Sequence, residues 1–225
     1  MLSAKEWWAI MEAYGEKIWP AQTLLFIAAV ALVVWLFLKP GRVPDALVKL
    51  YLVLALAWNG IVFFFILAKG IAGNGNYLFG SMLTVAALLL AVDFSKQKVA
   101  FRLPELRWQK YLTLVLMLLV FCYPLFGMAF GHRFPRLIIP GTFPCPTTAL
   151  SLLLLTTALP QVNKIAYILL LLWAVPFPPF IQIPKYGVYE DAIMFVVGVY
   201  SMIMLVKNWK VEKISKQGFK QTSLR

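Results

Sequence analysis

The residues best suited to chemistry lie close together in one proline-rich segment, residues 131–148, between two strongly hydrophobic runs. This segment contains the only histidine of the chain, His132, one of its two cysteines, Cys145, and two arginines, Arg133 and Arg136. A thiol and an imidazole can act as a nucleophile and its base, whereas two guanidinium groups can bind an anion. The segment therefore points either to covalent chemistry or to recognition of an anionic group.

A second set of polar residues extends this candidate site. Thr147 and Thr148 begin the next predicted helix, whose free backbone N–H groups favour negative charge at that position. Glu190 and Asp191 precede the last hydrophobic run, and either carboxyl group could orient the histidine if the two loops meet. The predicted ligand-binding residues are Arg133, Arg136, His132, Cys145, Thr147, Thr148, Glu190 and Asp191.

Catalysis and metal binding have less support from the spacing. A thiol nucleophile needs surroundings that favour its thiolate, which most cysteines at the start of a helix lack. Met128, His132 and Cys145 suit a soft ion such as copper(I), but their spacing is loose and no CxxC motif accompanies them. The single histidine excludes zinc hydrolases of the seven-helix type. We therefore predict no catalytic residue, no metal site and no cofactor.

The composition places these residues in a membrane protein. Of the 225 residues, 62% are hydrophobic and only 13% are charged, which is outside the range of soluble domains. Several apolar runs approach or exceed the ~20 residues with which a helix crosses a bilayer. We predict an all-α, polytopic transmembrane bundle of about seven helices in one domain, with the lipid bilayer as its partner.

The positions of the hydrophobic runs predict an outward-facing pocket. The predicted spans are residues 20–38, 46–67, 77–92, 111–130, 147–159, 164–175 and 193–206. Pro124 predicts a kink in the fourth span. The fifth and sixth make only roughly 20 Å of helix, less than the ~30 Å core, and proline-rich backbone flanks both. Because irregular backbone at membrane depth must be buried in protein or line a cavity, we expect residues 131–148 and 177–191 to meet in a pocket.

The N-terminal residues predict a separate amphipathic helix beside this pocket. Trp7, Met11 and Tyr14 fall on one face of a helix, and Ser3 with Glu6 matches a capping box. Tryptophans suit the headgroup layer, so we expect this helix to lie along the membrane surface. The predicted organisation is an interfacial helix at 1–18, a transmembrane bundle at 19–206 and a basic cytoplasmic tail at 207–225.

The excess of basic residues predicts the orientation of the chain. The net charge of +12 comes from 21 lysines and arginines spread over the loops, as the positive-inside rule requires of a multi-span protein. Nucleic acid is therefore not an expected partner. Most basic residues fall on the side of the C-terminus when seven spans are assigned. We predict an N-terminus outside and a C-terminus in the cytoplasm, with the pocket facing outside.

Two short motifs carry a resemblance to a known family. A Trp-Pro-Ala-Gln motif at residues 19–22 precedes the first span, and a Pro-Cys-Pro-Thr-Thr motif at residues 144–148 begins the fifth. With Tyr14, Pro124 and His132, they resemble an uncharacterised bacterial family of small multi-pass inner-membrane proteins, a domain of unknown function. The resemblance implies this architecture and a bacterial inner-membrane location, and it implies no activity.

Binding of a small polar or anionic solute at the outward-facing pocket is the function that the sequence favours, with passive, transporter-like passage as an extension. No Asp, Glu, Lys or Arg lies in the middle of a predicted span, which argues against proton-coupled transport. Two alternatives stay open. One is a membrane-embedded enzyme or redox protein that uses Cys145 and His132, and the other is a structural or sensory subunit that acts through a partner. The sequence assigns no oligomeric state.

Overall fold

The computed structural model describes residues 2–96 and 99–222 of the chain. Within these ranges the regular structure is entirely helical, which confirms the all-α prediction. Lys98, in the predicted basic loop, and residues 223–225 of the predicted tail lie outside the described residues. The helices are α1 (Ala4–Leu38), α2 (Arg42–Ala57, continued by a π-helix Trp58–Leu67), α3 (Gly75–Lys96), α4 (Arg107–Phe121), α5 (Tyr123–Ala129), α6 (Pro144–Thr157), α7 (Lys164–Ala174, followed by a π-helix Pro178–Tyr186) and α8 (Asp191–Thr222).

Five of these helices are long and apolar enough to cross a membrane, so the protein is an integral membrane protein. A sixth candidate is the pair α4 and α5, which is bent by 57°. The bend confirms the kink predicted at Pro124, which lies in the first turn of α5. The five single candidates are Ala4–Leu38, Arg42–Leu67, Gly75–Val92, Lys164–Tyr186 and Asp191–Trp209.

Helix α1 runs without a break through the point where an interfacial helix was expected to end. Its capping box is present, since Glu6 N–H donates to the Ser3 hydroxyl at 3.3 Å and Ser3 N–H donates to Glu6 at 2.8 Å. Pro20 lies inside the helix and removes one backbone hydrogen bond without ending it. A helix of 35 residues is roughly 52 Å long, which exceeds the ~30 Å hydrocarbon core. The amphipathic stretch is thus the first half of a longer helix.

The proline-rich residues after α7 are helical, whereas the sequence predicted irregular backbone there. Pro178 and Pro179 occupy the first turn of the π-helix Pro178–Tyr186, where a proline's missing N–H has no partner to lose. The stretch Lys164–Tyr186 is consequently 23 residues long and meets the length of a membrane span. The expectation of a sixth segment too short to cross does not hold.

Helix α6 is the centre of the bundle. All 14 of its residues are buried, and it packs against α2, α4, α7 and α8. Its polar side chains bond to its own backbone, as when Ser151 donates to Thr147 O and Thr156 donates to Leu152 O, both at 2.7 Å. A helix that is apolar on all sides belongs in a core, so α6 forms the axis around which the other helices pack.

The loops divide between two ends of the bundle. The N-terminus meets residues 131–143 and 186–190 at one end, which we call the N-terminal end. There Trp8 Nε1 donates to Tyr186 O at 2.9 Å, and Arg136 pairs with Glu12 at 2.6 Å. The expected meeting of the two proline-rich segments beside the N-terminal residues is therefore observed.

Asp45 holds the opposite end together. Its buried carboxylate accepts from Phe101 N–H at 3.0 Å and from both terminal nitrogens of Arg102 at 3.0 and 3.1 Å. The backbone N–H of Arg102 donates to Thr157 O, at the end of α6. The carboxylate of Asp45 thus joins α2 to residues 101–102, which in turn bond to the last residue of α6.

Replacement of Asp45 should destabilise the whole bundle. The Asp45→Ala change leaves the buried N–H of Phe101 without its partner and removes the ion pair with the half-exposed Arg102, so we expect the free energy of unfolding to fall by about 2 kcal/mol. Unfolding by sodium dodecyl sulfate in mixed micelles measures this value. Glu105→Ala, at an exposed position of the same loop, is the control. Equal stability of the two variants would contradict the role given to Asp45.

Candidate functional site

The irregular residues 131–143 are fastened to α1 by side chains of that helix. Tyr14 donates its hydroxyl hydrogen to Thr142 O at 2.7 Å and accepts from Trp58 Nε1 at 2.9 Å. Gln22, the last residue of the Trp-Pro-Ala-Gln motif, donates to Leu137 O at 3.2 Å. These bonds occupy carbonyl groups that have no helical partner, as burial in a membrane protein demands.

Close backbone approach also requires glycine at two points of this contact. A Cβ atom at Gly15 would overlap the carbonyl oxygen of Pro135, so the segment lies directly against α1. Gly141 has φ +104°, a conformation that other residues rarely adopt. Its carbonyl accepts from Asn59 Nδ2 at 3.1 Å, and its N–H donates to Thr147 Oγ1 at 2.8 Å. The start of α6 is thereby positioned from both α1 and α2.

A cavity of about 740 Å³ lies between the first half of α1, the loop 70–75, the start of α6 and the π-helix after α7. Its mouth is at exposed residues, among them Glu6 and Gly73. Most of its wall is aromatic or aliphatic. The apolar side chains that line it include Trp7, Met11, Phe63, Phe64, Ile71, Phe79, Ile138, Trp173, Phe177, Phe180, Ile181, Tyr186 and Val188.

Polar groups of the wall converge on Asp191, the first residue of α8. Its side chain is buried, and Oδ1 accepts a hydrogen bond from the hydroxyl of Tyr123. Among the described residues no N–H or O–H group bonds to Oδ2, and the thiol of Cys145 lies beside the carboxyl group. The indole N–H of Trp173 faces the sulfur of the same thiol. The wall thus combines an apolar surround with one carboxyl oxygen that lacks an N–H or O–H partner among the described residues.

A second polar cluster lies outside the cavity lining. His132 Nδ1 is 2.9 Å from Glu190 Oε1, and the Glu190 side chain is 0% exposed against 15% for His132. The ring of Trp8 lies 4.3 Å from the imidazole ring, centroid to centroid. His132 also joins the end of α5, because its N–H donates to Gly127 O at 2.8 Å. This cluster therefore ties α1 and α5 to the turn before α8.

The structure separates the residues that the sequence grouped as a ligand site. Only Cys145 and Asp191 line the cavity. Arg136 is paired with Glu12, and Arg133 is exposed. Thr147 donates to Phe143 O at 2.6 Å, Thr148 is buried, and the pair His132 and Glu190 bond to each other.

The nucleophile and base suggested by the sequence belong to different clusters. His132 is engaged by a carboxyl group, whereas Cys145 neighbours Asp191 and Trp173. A negative charge on Cys145 would thus face another acidic group. Within the described residues, no three His, Cys, Asp or Glu side chains are grouped so that they could hold a metal ion.

Sequence reasoning missed the aromatic wall of the cavity. Phe63, Phe64 and Trp173 lie in predicted spans and were not assigned to the pocket, because lipid-facing and cavity-facing aromatics have the same hydropathy, whereas Phe177 lies in the segment 177–191 that was expected to line it. Trp173 and Phe177 are one helical turn apart, and in the structure their rings stack at 4.2 Å. Aromatic residues at this spacing beside a proline-rich stretch are the signal that could have indicated the wall.

Loss of the Tyr14 hydroxyl should loosen the segment that positions the site. Tyr14→Phe leaves Thr142 O and the Trp58 indole N–H unpaired in a buried region, so we expect a loss of about 2 kcal/mol of unfolding free energy. Mixed-micelle unfolding provides the measurement. Tyr77→Phe, at a largely exposed position of α3, should have almost no effect. If the Tyr14→Phe protein were as stable as that control, the Tyr14 hydroxyl would not hold residues 131–143 against α1.

The comparisons with known proteins identify a family and add no activity. A family model described as "Family of unknown function (DUF6064)" matches residues 4–216. No curated protein and no solved structure matches the chain. Because the match covers nearly all of the 225 residues, the chain belongs to DUF6064.

Proposed function

We propose that this integral membrane protein binds a small molecule with a mainly apolar or aromatic body in the cavity at its N-terminal end. The observation that carries the proposal is the cavity itself. Its volume of about 740 Å³ lies within the ~300–1,000 Å³ typical of ligand pockets, and its wall has the typical mixture of many apolar groups and few polar ones.

The charges near the cavity support an apolar ligand over the anion expected from the sequence. The guanidinium of Arg136 is bonded to Glu12 through Nε and Nη2, at 3.0 and 2.6 Å. The acidic residues Glu6 and Asp191 line the cavity, against one basic residue, Lys185. An anion would therefore meet a wall with an excess of acidic groups.

Binding is proposed without passage through the bundle. Helix α6 occupies the centre below Cys145, and all of its residues are buried. Covalent catalysis is not proposed, because the Cys145 thiol lies beside a carboxyl group and an indole rather than beside an imidazole or another group that would stabilise a thiolate.

The orientation in the membrane is part of the proposal. If α6 is counted as a crossing, the chain crosses seven times and its termini lie on opposite sides. Basic residues near the opposite end, such as Lys39, Arg42 and Lys110, support a cytoplasmic position for that end. In a bacterial inner membrane the cavity then opens to the outside.

Cysteine labelling in intact cells tests this orientation. In a background without native cysteines, Asn74→Cys lies at the mouth of the cavity and Gln161→Cys lies in the exposed loop after α6. A membrane-impermeant maleimide should label the first variant in intact cells and the second only after lysis. The reverse pattern would overturn the orientation.

Native mass spectrometry of the detergent-purified protein tests the binding. We expect an organic mass on the wild-type protein that is lost in Ile138→Phe, because the larger side chain fills space within the cavity. Leu24→Phe, which enlarges a side chain on the exposed face of α1, is the matched control and should keep the mass.

Correct folding of the variants is checked by gel filtration and thermal unfolding. Ala72→Trp, which narrows the exposed mouth, replaces Ile138→Phe if that variant does not fold. Identical bound masses in the wild type, a folded cavity variant and Leu24→Phe would contradict the proposed function.

A further inference from the structure

Among the described residues, Asp191 differs from the buried acidic residues Asp45 and Glu190 because no Lys, Arg or His side chain is bonded to it. Arg102 is ion-paired with Asp45, Arg136 is ion-paired with Glu12, and His132 is hydrogen-bonded to Glu190. Asp191 has 0% exposure, and its Oδ2 lacks an N–H or O–H partner among the described residues. A buried carboxyl group is costly unless a cation or several donors satisfy it.

The hydrogen bonds that Asp191 does make leave room for one more partner. Tyr123 supplies one O–H donor to Oδ1, the thiol of Cys145 faces the carboxyl group as a weaker S–H donor, and the first turn of α8 contributes its helix dipole. A carboxylate can accept about four hydrogen bonds. Because Asp191 lines the cavity, a donor group of a molecule bound there lies next to its carboxyl group.

Aromatic rings in the same cavity wall as Asp191 suit a cation. Trp173 stacks on Phe177 at 4.2 Å, and Trp7 stacks on Tyr186 at 4.8 Å. Both pairs line the cavity. Cations bind to the faces of such rings within about 6 Å. The structure already contains one instance, since Lys185 Nζ lies 5.1 Å from the ring centroid of Tyr186.

We infer that the ligand of this cavity is a hydrophobic amine, whose ammonium group binds the carboxyl group of Asp191 while its apolar body lies among the aromatic rings. This inference rests on the proposed function and names the chemical class of the ligand. The ammonium group supplies the donors that Oδ2 lacks. The faces of the aromatic rings replace the hydration that the ammonium group loses when it enters the cavity. A neutral alcohol can donate one uncharged hydrogen bond to the same oxygen, but it gains neither the attraction between opposite charges nor the cation–π contacts.

Three probes that share one body test the inference. They are 4-phenylbutylamine, 4-phenylbutanol and 4-phenylbutyrate, titrated into the purified full-length protein by isothermal calorimetry, with titration into empty micelles subtracted. We expect the amine to bind about tenfold more tightly than the alcohol, because a charge-assisted hydrogen bond and cation–π contacts replace one neutral hydrogen bond while the apolar contacts stay the same. We expect the carboxylate to bind most weakly.

Two substitutions assign the preference to one carboxyl group. Asp191→Asn keeps the shape of the side chain and should bring the amine to the affinity of the alcohol. Glu190→Gln, at the neighbouring buried residue outside the cavity lining, is the matched control and should leave the preference for the amine unchanged. An equal loss of preference in both variants would show that Asp191 is not the group that binds the amine.

The outcomes separate this inference from the proposed function. Equal binding of amine and alcohol to the wild-type protein, lost in Ile138→Phe, would overturn the amine and leave an apolar ligand. Tightest binding of the carboxylate would also overturn it. If none of the three probes binds beyond the empty-micelle signal, the inference fails. A bound mass that is nevertheless lost in Ile138→Phe would keep the proposed function.

Discussion

Irregular backbone inside a membrane bundle must have its polar groups bonded, and this constraint governs the N-terminal end of the protein. Residues 131–143 satisfy it by bonds from Tyr14, Gln22 and Asn59 to their carbonyl groups. These three donors come from two different helices, so the bonds also fix where α6 begins. The depth of Cys145 in the bundle, and hence the position of the cavity wall, follows from that attachment.

The polar groups of the same region divide into satisfied and unsatisfied ones. His132 and Glu190 form a pair that joins α5 to the turn before α8, and Trp8 covers the imidazole. One residue further along the chain, Asp191 has a buried oxygen without an N–H or O–H partner among the described residues. Of these two neighbouring buried carboxyl groups, Glu190 is bonded to a histidine. Asp191, which has the oxygen without such a partner, is the one that lines the cavity.

The sequence predicted the features that depend on local pattern and failed where tertiary contacts decide. Hydropathy identified the membrane helices, the Ser3 and Glu6 pattern identified the start of α1, and Pro124 identified the bend. Proline spacing after α7 suggested irregular backbone, but Pro178 begins a helical stretch there. The site was harder, because the pairing of Arg136 with Glu12 joins residues 124 positions apart, which no sequence pattern reveals.

The central claim is that a mainly apolar molecule occupies the cavity, and an experimental density map tests it most directly. The protein would be extracted with its surrounding lipids into polymer nanodiscs and imaged by electron microscopy without any added compound. The account predicts continuous density for an organic molecule between the rings of Trp7, Phe177 and Tyr186, reaching the carboxyl group of Asp191. A cavity that contains only discrete water peaks, or one filled by rearranged side chains, would contradict it.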